Sequence, residues 1–391
     1  MASYIPEPVP TSPESMKSIV GRLREIHFDE KHCGHRLGRI ESLPDFNGLR
    51  VARPYLQATS DPLDVAIALF LLNEKVSMEM AHRLFNEAQL SSLQEMSLVQ
   101  LNGRAAYSLL NLLPCSGAFI ATDRFSFPSD DYPLINRVMW LYHESYILAG
   151  LVDRSTRVTA ALDLGTGSGI HALLASRHSA QAVGVDINPR ALAFSRFNQR
   201  LNGWTNVEFL RGDLYAPVAG RQFDLILSNP PFNPTPIVPA GTDYWSGGTS
   251  GEEILSRIIG GLDAHLSDSG ICHIITLLCH NKAGPSYREK LDMWLAGGID
   301  RYDVMSQVMD NCSYFENVDS EARRVFLREN FSRFEFGVIS IRKSGRRPGL
   351  YYHGLPRVAQ PLFDQNGRFA QPFTHQTFDE CPEVAGLCHP A

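Results

Sequence analysis

Residues 158–169 read Val-Thr-Ala-Ala-Leu-Asp-Leu-Gly-Thr-Gly-Ser-Gly, an apolar run closed by an acid and a turn holding three glycines. A short apolar run that ends in glycines predicts a buried strand, Val158–Leu164, turning into a helix from Ser168. The alternation then repeats. Ala182–Asp186, a helix from Pro189, Val207–Leu210, Phe223–Ser228, a helix from Glu252 and Ile271–Leu278 follow in order. Strands that alternate with helices run parallel and are joined by crossovers, which makes an α/β, doubly wound sheet. Two later apolar segments, Tyr302–Val308 and Phe334–Ile341, are expected to complete it, with room for one antiparallel strand.

Upstream the texture is helical. Pro13 in a first turn with Met16, Ile19, Val20 and Leu23 at helical spacing predicts a helix after Ser12. Ser60-Asp61-Pro62 starts another ahead of the apolar run Val65–Leu72, and Ser77 opens a short one through Leu84. Asn102-Gly103 between apolar flanks is a hairpin signal, and Gly117–Thr122 reads as a strand. The expected division is a helical N-terminal domain with a small hairpin, winged-helix-like, over 1–130 and a linking helix within 131–154, starting at Pro133. A doubly wound domain over 155–345 and a C-terminal extension over 346–391 complete it.

The chain has 391 residues, 44% of them apolar and 20% charged, the balance of a globular protein long enough for two domains. Its longest apolar run falls far short of the roughly 20 residues of a membrane span. Seven scattered cysteines, an odd number with no Cys-x-x-Cys, suggest reduced thiols and a cytoplasmic setting. The net charge of −6 weighs mildly against a grip on long nucleic acid.

A glycine-rich turn after a strand lets backbone approach a ligand closely. A dinucleotide fingerprint needs Gly-x-Gly-x-x-Gly. Here the third glycine comes one residue early and Ile170 takes its place, which disfavours an oxidoreductase. Asp163, just ahead of Gly165, Thr166, Gly167 and Gly169, suits a ligand carrying an ammonium group. Asp186 ends the next strand, where a carboxylate can take both ribose hydroxyls. Asp213, after the third strand, is placed to accept an adenine amine, and Ile187 or Leu214 would cover the ring.

Asn229-Pro230-Pro231-Phe232 follows the strand Phe223–Ser228. Two prolines fix an extended, rigid backbone. That holds the Asn229 side-chain oxygen and the Pro230 carbonyl toward one point, where they can accept both hydrogens of a planar NH2 group. Phe232 offers a flat face for stacking.

From about Ala160 to Leu278 the chain resembles the class I methyltransferases of the small-domain group. That group includes release-factor glutamine methyltransferases, ribosomal-RNA guanine exocyclic-amine methyltransferases and adenine-amine methyltransferases. The resemblance rests on Asp163–Gly169, Asp186, Asp213 and Asn229–Phe232 in order. It implies a Rossmann-like fold, S-adenosylmethionine as cofactor with S-adenosylhomocysteine as product, and no metal. It also implies methylation of an amide or amino nitrogen by Asn229, Pro230 and Phe232, with Asn229 also touching cofactor. The acceptor stays open between protein, RNA and small molecule, and the oligomeric state is undetermined. A natural-product methyltransferase acting on another atom, or a non-catalytic nucleotide-binding protein, are the alternatives.

Further substrate-side candidates are Pro231, Tyr142 and Glu144 before the first strand, and His280 at the end of Ile271–Leu278. Tyr244-Trp245, in a Pro/Gly/Thr-rich loop, complete the set. His32, Cys33 and His35 lack a fourth metal ligand. Arg342, Lys343, Arg346 and Arg347 read as a solvated basic turn.

Overall fold

In the computed structural model, the structure describes residues 6–37, 61–124, 136–236, 244–312, 321–343 and 349–354. The N-terminal helices start where their caps lie. The Ser12 hydroxyl accepts from Ser15 N–H ahead of helix Pro13–Glu25, which buries Met16, Ile19, Val20 and Leu23. Asp61 caps Pro62–Ala66, which widens into a π turn over the fully buried Ile67–Leu71. Ser77 caps Met78–Leu84. A helix absent from the sequence reading, Glu87–Glu95, begins with a reciprocal capping box between Asn86 and Gln89.

Strands β1 (Val76–Ser77), β2 (Val99–Leu101) and β3 (Ala105–Ser108) form a small sheet in the order β1-β3-β2, with Asn102-Gly103 at the β2–β3 turn. A second hairpin pairs β4 (Asn111–Cys115) with β5 (Ala118–Thr122) through Ser116 and Gly117. Both turn residues have positive φ, +50° and +79°, the geometry that two-residue hairpins prefer. The free edge of β5 is met by a helix, Pro189–Asn202. Asn198 exchanges side-chain hydrogen bonds with both backbone groups of Ala121, and Asn202 does the same with Phe119. On the same helix Arg190 pairs with the buried Asp123 and donates to Pro6 O.

The linking helix starts later than its sequence suggests, running from His143 to Leu151. Asn136 has φ of +57° and Val138 N–H donates to Asp123, so the chain ahead of it is not helical; 131–135 lie outside the described residues.

The main sheet holds β6 (Val158–Leu164), β7 (Ser179–Asp186), β8 (Val207–Arg211), β9 (Phe223–Ser228), β10 (Leu266–Asn281), β11 (Tyr302–Cys312), β12 (Phe331–Lys343) and β13 (Tyr351–Gly354). Their order is β13-β11-β12-β10-β9-β6-β7-β8. The strands from β8 to β10 pair in parallel, and β12 lies antiparallel between β10 and β11. Strand order reverses between β6 and β9, the switch point at whose carboxyl ends ligands bind in such sheets. Residues Leu164 and Ser228 are register partners there, so Gly165 and Asn229 leave the sheet side by side.

Two expectations about the far end of the chain are corrected. Tyr351–Gly354 belongs to the sheet as an edge strand paired with β11 rather than to a surface tail. Arg342 is buried, at 5% exposure, against the fully buried Asp303 at 2.9 Å, because a β12 residue at its register faces the core beside β11. Lys343 reaches Asp268, and Arg346 and Arg347 lie outside the described residues.

Candidate functional site

The turn after β6 is built on positive-φ glycines. Gly165 (φ +69°) would present a Cβ to open space, so its backbone face is free for a ligand. Gly169 (φ +88°) is the N-cap of helix Ile170–Ser176, and a Cβ there would meet Ser195 Cβ at 3.0 Å. Beneath the turn lies Asp163, 1% exposed. Its Oδ2 accepts from the Thr166 hydroxyl (2.6 Å) and Ala172 N–H (3.1 Å), while its buried Oδ1 has no hydrogen-bond partner among the described residues. Burial, with a smaller push from Asp186, raises this carboxyl to about 7.

At the end of β7, Asp186 accepts from Gly167 N–H and Asn188 N–H, both at 2.8 Å, which clamps the glycine turn to the neighbouring strand. Burial raises its pKa against these hydrogen bonds. Ile187 beside it is 64% exposed, a large apolar side chain held in the open at a strand end. After β8, Leu214 adopts φ +49°, a conformation that costs a non-glycine residue. Asp213 is exposed, and its Oδ2 takes Arg257 at 2.6 Å.

Asn229 is half-buried, and its side chain makes no hydrogen bond with a described residue. Pro230 is buried, whereas Pro231 and Phe232 remain partly open. An aromatic series leads from Phe232 to Phe336 (6.3 Å), His143 (5.3 Å) and Tyr142 (4.3 Å). It brings the motif to Glu144, a buried carboxyl whose Oε2 has no hydrogen-bond partner among the described residues and lies 3.7 Å from His143 Nδ1. The structure thus gathers Asp163, the glycines, Asp186, Asn229 and Phe232 at one end of the sheet, with Tyr142 and Glu144 alongside.

Burial pushes the Glu144 carboxyl from 4.5 up to about 7. A raised acid binds a proton in the folded state that the unfolded chain has already released. Its contribution is therefore present below about pH 4.5 and lost as pH rises through about 7. Glu144→Gln, which cannot ionise, is expected to gain stability relative to the parent between pH 5 and 8, on the order of 1–3 kcal/mol. Urea unfolding of both proteins across that range reads it, and a difference independent of pH would contradict the assignment.

The loop after the motif is docked rather than loose where it is described. Asn233 N–H donates to Trp245 O, Gly247 N–H to Asn233 O and Thr235 N–H to Gly248 O. Arg323 stacks over Trp245 at 4.7 Å and donates to Pro234 O. Tyr244 is half-buried, and 237–243 lie outside the described residues.

His280 is engaged by an acid of β12. Its Nε2 lies 2.6 Å from Glu335 Oε2, which also meets His353 Nε2 at 2.8 Å. Burial raises the Glu335 carboxyl, but hydrogen bonds from the two imidazoles outweigh it and hold the group well below the usual carboxylate range. Arg257, Arg323, Phe336, Glu335 and His353 escaped the sequence reading. Each reaches its partner from a distant part of the chain, so no spacing announces it.

Among known proteins, the family described as "Methyltransferase small domain" matches residues 144–238. A protein of Methanocaldococcus jannaschii, by name a protein N5-glutamine methyltransferase, is 36% identical over 33% of this chain and 66% of its own length. The release factor glutamine methyltransferase of Geobacter sulfurreducens is 32% identical over 36% of this chain and 53% of its own. The ribosomal protein uL3 glutamine methyltransferase of Bradyrhizobium diazoefficiens is 30% identical over 60% of this chain. The chain spans from 53% to 78% of the length of these relatives. A match at 30% identity across 78% of a relative, with the glycine turn, both strand-end acids and Asn229–Phe232 in one site, means that the chain belongs to the methyltransferase small-domain family.

Proposed function

We propose that this chain transfers a methyl group from S-adenosylmethionine to the side-chain amide nitrogen of a glutamine in a protein. The observation that carries the reading is the rigid Asn229-Pro230 pair beside the glycine turn, with an Asn229 side chain that no described residue engages. Relatives named for glutamine methylation, in release factors and in ribosomal protein uL3, support a protein amide. The surface of helix Glu87–Glu95 also fits a protein better than RNA. A helix that follows another helix and precedes a hairpin reads nucleic acid through basic side chains, and this one carries Glu87 and Glu95 with no Lys or Arg.

The donor supplies an already activated sulfonium methyl, so the protein's work is alignment and exclusion of water. The cradle fits it. Backbone at Gly165 is open to a ligand, and the unpartnered Asp163 Oδ1 suits the ammonium of its methionine part. Asp186 would hold the ribose hydroxyls and the exposed Ile187 would cover the adenine. Asp213 approaches the adenine amine only on the side that Arg257 leaves. On the acceptor side, Asn229 Oδ1 and Pro230 O accept the two amide hydrogens. This pulls the nitrogen lone pair out of conjugation and aims it at the methyl. Phe232 stacks on the amide plane. The nitrogen gains a methyl and releases one proton, to water or by way of Asn229.

The test offers the protein tritiated S-adenosylmethionine with ribosomal protein uL3, a release factor, ribosomal RNA, and glutamine peptides with their glutamate counterparts. Label is expected on a glutamine side chain and absent from the glutamate forms, which lack the nitrogen. Label on RNA, or equal label on the glutamate peptides, would overturn the acceptor.

A further inference from the structure

We infer that His280, Glu335 and His353 form a binding site for one divalent transition-metal ion, of which zinc is the natural occupant by ligand chemistry. The three groups come from three strands: the end of β10, the start of β12 and the edge strand β13. Their donor atoms all lie within 4.8 Å of one another, and both imidazole Nε2 atoms converge on a single carboxylate oxygen, at 2.6 and 2.8 Å. Two neutral imidazoles and one carboxylate are the ligand set that zinc accepts, with a fourth position left to water. Tetrahedral zinc with ligands at about 2.0–2.2 Å needs donor atoms about 3.3–3.5 Å apart, so the two rings, now at 2.6 and 2.8 Å, have to retreat by about 0.5–0.9 Å.

The surroundings suit an ion that enters and stays. Glu335 is 8% exposed, and the side chains of His280 and His353 are 16% and 18% exposed, so the imidazoles keep some contact with solvent. Arg333 Nε lies 3.3 Å from the other oxygen, Oε1, and its side chain is 58% exposed. It can stay on Oε1 while Oε2 takes the ion, as hydrogen-bonded ligating carboxylates commonly do. The buried Nδ1 of His353 has no hydrogen-bond partner among the described residues, and the ring packs against Tyr287 at 5.6 Å. With the ion on Nε2 each neutral imidazole keeps its one proton on Nδ1, any second proton passing to water, and the ion fastens the edge strand β13 across β11 to the centre of the sheet. The ligands are none of the residues assigned to methyl transfer, and the inference does not depend on the proposed acceptor.

A second group, His27, Asp29 and His32, also brings three donor atoms together, but there Asp29 caps its own helix and His32 Nδ1 already rests on that carboxylate. The experiment separates the two. Chelator-treated full-length protein is titrated with zinc chloride against a chromophoric chelator, and bound zinc is counted by mass spectrometry after desalting. One zinc per chain is expected, with affinity lowered at least tenfold in Glu335→Gln and His353→Ala and unchanged in His32→Ala. Titration with S-adenosylhomocysteine checks that His353→Ala is folded. Should both variants at the site unfold, X-ray absorption of zinc-loaded His32→Ala decides, with two imidazoles in the shell expected. No zinc bound at 100 µM, parent-like binding by Glu335→Gln and His353→Ala, or a shell without two imidazoles would each overturn the inference.

Discussion

Asn229→Ala is expected to lower methyl transfer by about 10²–10³-fold while leaving affinity for S-adenosylhomocysteine nearly unchanged. The separation follows from where the residue stands. It leaves β9 one position after Ser228, whose hydroxyl donates to Leu164 O at 2.8 Å and ties the two strand ends together. The backbone that places the motif is therefore held by Ser228 and by the two prolines, not by the Asn229 side chain. Truncating that side chain removes one of two acceptors for the substrate amide and leaves the glycine turn and Asp186 untouched. Single-turnover transfer to a glutamine peptide, paired with calorimetry, measures both quantities. If cofactor affinity fell along with activity, the Asn229 side chain would serve chiefly the cofactor and not the acceptor. If activity persisted, the motif would not be where transfer occurs.

The largest stability effect is expected at Asp303. This carboxylate is fully buried and 2.9 Å from Arg342, itself 5% exposed, and the two are register partners on β11 and β12. Asp303→Ala leaves a guanidinium in the sheet without its carboxylate, at a cost of about 3–5 kcal/mol. That is a large part of the roughly 5–15 kcal/mol that holds an ordinary domain folded. Replacing both residues with apolar ones of similar volume is expected to recover much of the loss, since the buried charge goes with its partner. Urea midpoints of the single and double variants read this, and a single-variant loss under about 1 kcal/mol would show that solvent reaches the pair.

The centre of the molecule was legible because its physics is local. Buried parallel strands are continuous apolar runs, so β6 and β9 fall where the sequence puts them, and their ends carry the turn and the Asn-Pro-Pro-Phe motif. What escaped depends on pairing across distance. Strand β4 contains Pro114, which argues against a strand, yet β4 has a neighbour on one side only and the missing N–H falls on its free edge. Strand β10 starts at Leu266 rather than Ile271 because Ser267, Asp268 and Ser269 break the apolar run, while the backbone bulges there and resumes its ladder on β9 at Ile271. The charged Arg342 looked solvent-bound until Asp303, 39 residues upstream, was set beside it. In the same way Asp213 looked free for adenine, and nothing in its neighbourhood in sequence points to Arg257.

The asparagines on helix Pro189–Asn202 meet strand β5 through a coincidence of two repeats. Four residues of helix advance about 6 Å, and two residues of strand advance about 6.5–7 Å. Side chains four apart on the helix can thus each serve every second residue of a strand, as Asn198 and Asn202 serve Ala121 and Phe119. The helix behaves as a surrogate strand, and the hairpin edge it covers is closed to pairing by another chain. Because Asn198 also donates to Ser168 O in the glycine turn, the N-terminal hairpin and the turn share one anchor. A swing of the hairpin against helix Pro189–Asn202 would have to break these amide pairs together, so the hairpin and the glycine turn are held at one angle to each other.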